Sequence, residues 1–183
     1  MAKNATRVVG EVSDLCCDLI LSGALIIGAL APEVLAFLAP SSYRDGVYIA
    51  LPIALAAVPT YLCSVMSAEL EYRGERREVI SVTLRSAAVG VCTSAVMLRL
   101  IGISGAGIGT LVAASVQYVM LASRTRITSG ARRGLLSLTG GCALGGLIVL
   151  CYSSLPLRIM LMIPPALIGT HALIKAKGYI REI

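Results

Sequence analysis

The sequence predicts an all-α membrane protein, a polytopic helix bundle of about six transmembrane helices with both termini in the cytoplasm. Of the 183 residues, 57% are hydrophobic and only 14% are charged, whereas a soluble domain carries about 25% charged residues. The apolar residues form continuous runs close to the ~20 residues that a membrane-spanning helix needs. The charged residues are confined to short clusters between these runs, as in the loops of membrane proteins.

Six apolar runs are candidate spans, separated by breaks that contain proline, glycine or charge. In chain order they are Leu15–Leu38, Val47–Met66, Val79–Leu100, Ile103–Leu121, Leu135–Ser153 and Leu157–Ile174. The longest charged break is Glu69–Glu78, and Gly102 marks the shortest break. No soluble domain or long linker lies between the runs, so residues 1–183 are expected to form a single membrane domain.

The basic residues orient these spans. One side collects twelve of them, which are Lys3, Arg7, Arg73, Arg76, Arg77, Arg124, Arg126, Arg132, Arg133, Lys175, Lys177 and Arg181. The other side has three, which are Arg44, Arg99 and Arg158. Because loops rich in Lys and Arg stay in the cytoplasm, the pattern predicts that both termini are cytoplasmic and that the chain lies in the cell (inner or plasma) membrane. The net charge of +6 is explained by these loops without nucleic acid as a partner.

Arg99 and Arg158 lie next to the ends of predicted spans, whereas Arg85 lies about 9 Å inside the third span. A charge at membrane depth usually faces the bundle interior or a watery cavity, which makes Arg85 a candidate anion contact. Ser86 and Gly90 suggest that it lies on a small, partly polar helix face. The alternative is that its side chain extends back to the headgroups.

Glu33 follows Pro32 near the outer end of the first run. It is a candidate for coupling transport to protons or sodium, although a carboxylate at the outer interface is the simpler interpretation. Prolines also fall inside the second run and, as Pro164-Pro165, inside the sixth. Proline kinks a helix, and kinked helices line cavities in many transporters.

Two GxxxG patterns predict close helix packing. The first joins Gly105 to Gly109, and the second joins Gly141 to Gly145. Small residues four positions apart let two helices approach closely in lipid. We expect both patterns to form contacts within the chain.

The segment Gly102-Ile103-Ser104-Gly105, with His171 in the sixth run, resembles the nucleophile and base of rhomboid intramembrane proteases. The second run lacks the His and Asn of that family, the chain has no Trp, and Ser104 and His171 are predicted near opposite membrane faces. One histidine and no CxxC pattern give no zinc site. The sequence therefore predicts no catalytic residue, no metal and no enzyme activity.

Three local patterns carry a wider resemblance. An Ala-Pro-Glu stretch runs into a short loop with Tyr over Leu30–Gly46, a Gly-Glu-Arg turn at Arg73–Arg77 precedes the third run, and a glycine-rich outer turn spans Leu100–Thr110. In order and spacing they resemble the second half of the multidrug/oligosaccharidyl-lipid/polysaccharide exporter superfamily, especially the polysaccharide-biosynthesis branch with the O-antigen flippases. The resemblance covers roughly Leu19 to Arg126.

The resemblance implies translocation of a polyprenyl-diphosphate-linked glycan by alternating access between two lobes, with Arg85 as the candidate cationic contact and no cofactor. The family fold has two lobes of six helices. This chain would supply the later part of the second lobe and a terminal helix pair. It would need an amino-terminal lobe or a second copy as its partner. Two alternatives stay open: a small six-span substrate-binding subunit of a vitamin-type transporter and, less favoured, a rhomboid-like intramembrane serine protease.

Overall fold

The computed structural model describes residues 2–38, 40, 46–125, 139–145, 147–148, 150 and 155–182. Residues 139–145, 147–148 and 150 are helical and are called α5 here. The other helices are α1 (Ala2–Leu38), α2 (Val47–Tyr72), α3 (Arg76–Ile101), α4 (Ser104–Ala122) and α6 (Leu155–Glu182). No strand occurs in these ranges, so the prediction of an all-α bundle is confirmed.

Four helices contain an apolar stretch that is long enough to cross a bilayer, and they match the first four predicted spans. These stretches are Val12–Leu38, Val47–Tyr72, Arg76–Ile101 and Gly105–Ala122. Helix α6 carries a shorter apolar stretch, Ile159–Lys175, at the sixth predicted span. About half of the predicted fifth span, Leu135–Ser153, lies outside the described residues, and the described part of it is α5.

The helices are longer than the apolar runs that predict them. Helix α1 already begins at Ala2, and α2 continues beyond Met66 to Tyr72. The expected break at Glu69–Glu78 is therefore wrong in its extent, because the chain leaves the helix only between Tyr72 and Arg76, where Gly74 has a φ of 82°. A helix does not have to stop where its apolar run stops, since charged residues are stable in a helix that reaches water.

Helix α2 lies at the centre of the bundle and runs antiparallel to α1. Gly28 of α1 lies against Leu51 near the start of α2. Further along α2, Tyr61 contacts Ser13 and Cys16 near the start of α1. Helix α2 also packs against α4, and the largest fully buried side chains belong to this centre, among them Leu25, Leu70, Leu121 and Ile148.

Helix α4 runs parallel to α2 and antiparallel to α3. The Cys63 thiol of α2 donates a weak hydrogen bond of 3.9 Å to the Ala114 carbonyl of α4. Gln117 of α4 donates a hydrogen bond of 3.3 Å to Thr83 Oγ1 of α3, and the Arg124 side chain just beyond α4 forms an ion pair with Glu78. Because α2, α3 and α4 alternate in direction, Arg124 and the turn between α2 and α3 lie at the same end of the bundle.

Gly105 offers a direct test of the α3–α4 contact. A Cβ at Gly105 would collide with the backbone of Met97 and Leu98, which cannot move aside as a flexible side chain can. We expect Gly105→Ala to lower the free energy of unfolding by about 1–3 kcal/mol, measured as a fall in Tm of the detergent-solubilised protein. Gly23→Ala is the matched control, because nothing lies within 4 Å of its Cβ; equal losses in both variants would contradict the packing.

Candidate functional site

Helix α3 is the most exposed of the four long apolar helices. Its main partner is α4, and its buried residues are Val82, Ser86 and Gly90, which share one stripe of the helix. Most other positions of α3 face outward, including Leu84, whose exposed fraction is 67%, and Val91, at 71%. This surface faces either the lipid or another protein.

Arg85 lies on the exposed surface of α3. The expectation that it shares a small polar face with Ser86 and Gly90 is wrong, because both of these are buried towards α4. Successive residues of a helix are about 100° apart, so turning Ser86 inward turns Arg85 out. The ion pair between Glu78 and Arg124 lies at the amino-terminal end of α3, and Arg85 lies about 10 Å further along the axis.

Arg85 lines a shallow, open depression of about 410 Å³ together with Arg77 and Ser81. These three residues are four positions apart, so they stack on one side of the helix. Ile80 and Leu84 form its apolar flank. Within the described part of the chain neither arginine has an ion-pair partner, while the nearby Glu78 is held by Arg124. Arg77 and Ser81 were not singled out from the sequence, although their spacing from Arg85 was visible there.

Glu33 is half-buried near the carboxy-terminal end of α1. Its Oε2 atom is buried without a hydrogen bond, while the residue takes part in another polar or electrostatic interaction of the chain. Helix α1 continues through Pro32 to Leu38, which places Glu33 within about 8 Å of the helix end. A coupling role for Glu33 stays a prediction.

The glycines of both GxxxG patterns are buried against neighbouring helices. A Cβ on Gly109 would collide with Ser94 of α3, next to the contact that Gly105 makes with the same helix. A Cβ on Gly141 would lie 2.6 Å from the Leu21 side chain, and one on Gly145 would lie 3.1 Å from Leu51. These contacts join α4 to α3, and α5 to α1 and α2, within one chain.

A second cavity lies between α1, α5 and α6. Its volume is about 320 Å³, and Asp18 and Ser22 are the polar residues among leucines, glycines and a proline that line it. Ser22 also lies where a Cβ on Gly169 of α6 would collide. This cavity is within the size range of small-molecule sites, about 300–1,000 Å³.

Ser104 and His171 lie on helices with different partners. Helix α4 begins at Ser104, and Gly107 in its first turn lies against Ile49 of α2. His171 is exposed on α6, two positions after Gly169, which lies against Ser22 of α1. Among the described residues there is also no group of three or more His, Cys, Asp or Glu that could hold a metal.

Comparison with known proteins assigns the chain to no family. A scan against protein-family models, a search of curated proteins and a search of solved structures each find no match. The fold and its apolar helices define the class of the protein, a helical membrane bundle.

Because α4 and α6 pack against different helices, we predict that Ser104 is not activated by His171 as a nucleophile. We expect a fluorophosphonate probe, which reacts with activated serines, to label the wild-type protein and Ser104→Ala equally in membranes. An active intramembrane serine protease labelled in the same membranes serves as the positive control. Labelling that disappears in both Ser104→Ala and His171→Ala would contradict this prediction and favour a protease.

Proposed function

We propose that the chain is a membrane transporter, or one part of a transporter, that translocates lipid-linked oligosaccharide or polysaccharide precursors across the cytoplasmic membrane. The observation that carries the proposal is Arg85, an exposed cation within a membrane-length apolar helix. Ionisable residues inside membrane spans are rare and mark substrate or ion pathways. A polyprenyl-diphosphate carries its negative charge at the end of an apolar chain, so a guanidinium beside lipid-facing leucines suits it.

The position of Arg85 favours a transporter that works with a partner. Alternating access requires a substrate path between two lobes or repeats. In this chain Arg85 points away from α4 and towards the outside of the bundle. An amino-terminal lobe or a second copy, placed against α3, would convert this exposed face into one wall of a central path.

Prolines inside the helices support the same proposal. Pro52 and Pro59 lie inside α2, the central helix, and Pro164 and Pro165 lie inside α6. A proline lacks the backbone N–H of a regular helix, and helices usually bend at such positions. Prolines next to glycine contacts are places where one group of helices can rock against another.

A small-molecule-binding subunit is the second candidate, and the cavity between α1, α5 and α6 favours it. Asp18 and Ser22 supply polar groups within its apolar lining, which is the usual composition of a ligand pocket. A subunit of this kind should retain a small ligand through purification, and mass spectrometry of the denatured protein would identify it. A glycan-lipid transporter should instead be free of such a ligand.

The proposed membrane orientation follows from the charged end of the bundle. Arg73, Arg76 and Arg77 lie at the turn between α2 and α3, and Arg124 lies beside them. Under the positive-inside rule this end faces the cytoplasm. The cell membrane, with both termini inside, is the location that fits.

We therefore expect a green fluorescent protein fused to the carboxy terminus to be fluorescent in a bacterial host. Alkaline phosphatase fused after Pro40, between α1 and α2, should be active because that enzyme folds only outside the cytoplasm. The controls exchange the two reporters: green fluorescent protein fused after Pro40 should not fluoresce, and alkaline phosphatase fused to the carboxy terminus should be inactive. The opposite result at both positions would invert the proposed topology.

Arg85→Gln tests the proposed transport. Deleting the gene should lower the amount of surface glycan and raise the amount of lipid-linked precursor. We expect Arg85→Gln to restore export at least about tenfold less well than the wild type, because a charged hydrogen bond is worth about 1.5–3 kcal/mol. Arg85→Lys keeps the charge and should restore part of the export.

Arg99→Gln is the matched control, since it removes the same charge from the exposed last turn of α3. It should restore export fully. Immunoblots of membranes show that all variants are present at equal levels. Full export by Arg85→Gln, or a deletion strain with normal surface glycan, would remove the support for the proposed function.

A further inference from the structure

We propose that Arg77, Ser81 and Arg85 form a binding site for the phosphate headgroup of an anionic phospholipid of the bilayer. The three side chains line one depression on the outer surface of α3. Two of them are cations, and the third offers a hydroxyl between them. This proposal does not depend on transport, because it concerns a resident lipid rather than a cargo.

The direction of α3 turns the Arg85 side chain towards Arg77. Helical side chains lean towards the amino terminus of their helix. Helix α3 starts at Arg76, at the charged end of the bundle, so the Arg85 side chain leans back towards Ser81 and the headgroup layer. The Cα atoms of Arg77 and Arg85 are about 12 Å apart along the axis, and the lean of Arg85 shortens this separation, so that Arg77 lies on the headgroup side of the same depression.

No acidic residue of the described chain neutralises this pair of charges. Glu78, the nearest carboxylate on α3, forms an ion pair with Arg124 of the adjoining segment. The surroundings of the depression on α3 are apolar, since Ile80 and Leu84 flank it with exposed fractions of 58% and 67%. A phosphodiester with two acyl chains matches this arrangement of two cations beside apolar side chains.

A lipid fits the site better than a second copy of the chain does. A second copy would have to supply an acidic side chain at the same depth. The acidic residues that the structure describes within the apolar part of α1 are Asp14, Asp18 and Glu33, and each already takes part in an interaction within its own chain. Anionic lipids are attracted to basic residues near the membrane surface, and Arg77 lies at the charged end of α3.

The absence of Trp from the chain permits a clean measurement. Leu84→Trp places a single fluorophore in the flank of the depression. The protein is reconstituted into vesicles of brominated phosphatidylglycerol or brominated phosphatidylcholine mixed with the unbrominated lipids, and quenching of the Trp gives the relative binding constant of the two lipids. We expect the anionic lipid to be preferred about fivefold or more.

Val119→Trp is the control at matched depth. Gln117 of α4 lies beside Thr83 of α3, so Val119 is close to the level of Ser81, and it is exposed on α4 without a lining arginine. The expected preference at this position is close to one. A preference in the Val119→Trp variant equal to that in the Leu84→Trp variant would overturn the proposal, because it would show only a general attraction to the basic end of the bundle.

Substitutions of the arginines complete the test. In the Leu84→Trp background, Arg77→Gln with Arg85→Gln should bring the preference to about one, while Arg99→Gln, at the opposite end of α3, should leave it unchanged. Persistence of the preference in the double variant would overturn the site. A second result would also overturn the site: quenching that shows no preference for phosphatidylglycerol and is relieved by an added polyprenyl phosphate. That result would support the transport proposal alone.

Discussion

The bundle depends on close contacts between helices that only residues without a Cβ allow. Lipid tails are as apolar as leucine, so burying leucine between helices gives little drive for their association in a membrane. Backbone approach at small residues supplies van der Waals contact in its place. Along the α3–α4 contact Gly90 lies against Ala113, Gly105 against Met97 and Gly109 against Ser94. Between α1 and α2, Gly28 leaves room for the Leu51 side chain.

These glycine contacts also set the rotation of α3 about its axis. With Gly90 and Ser86 held against α4, the neighbouring residue Arg85 is turned outward by the helical geometry. The exposure of Arg85 is thus a consequence of packing at positions that carry no charge themselves. Because α3 has one main partner, the same packing leaves most of its surface for lipid or a partner protein. The location of the candidate site follows from the smallest residues of the helix.

The sequence predicted the spans better than the helix faces. Hydrocarbon thickness limits the length of an apolar run, so the first four spans were visible directly. The start of α1 at Ala2 and the end of α2 at Tyr72 could not be predicted in this way. A helix that extends into water keeps its backbone hydrogen bonds even where its sequence is no longer apolar. Arg85 points outward because of the side of α3 that packs against α4. The sequence alone does not show which side that is. In contrast, the sequence could have predicted that Arg77 and Arg85 lie on the same side of a helix, because they are eight residues apart.

The composition of α3 beyond Arg85 separates lipid binding from translocation. The exposed positions from 87 to 98 on this helix carry only Ala, Val, Cys and Leu. A phosphate held at Arg85 would therefore meet no cation or hydroxyl on the exposed face until Arg99, about 21 Å further along the axis. Since a charged phosphate in hydrocarbon is costly, α3 alone is suited to hold a headgroup in the half that begins at Arg76. Translocation would require a second lobe to supply the polar lining beside the half that ends at Ile101, and this requirement makes a partner a physical condition of the transport proposal.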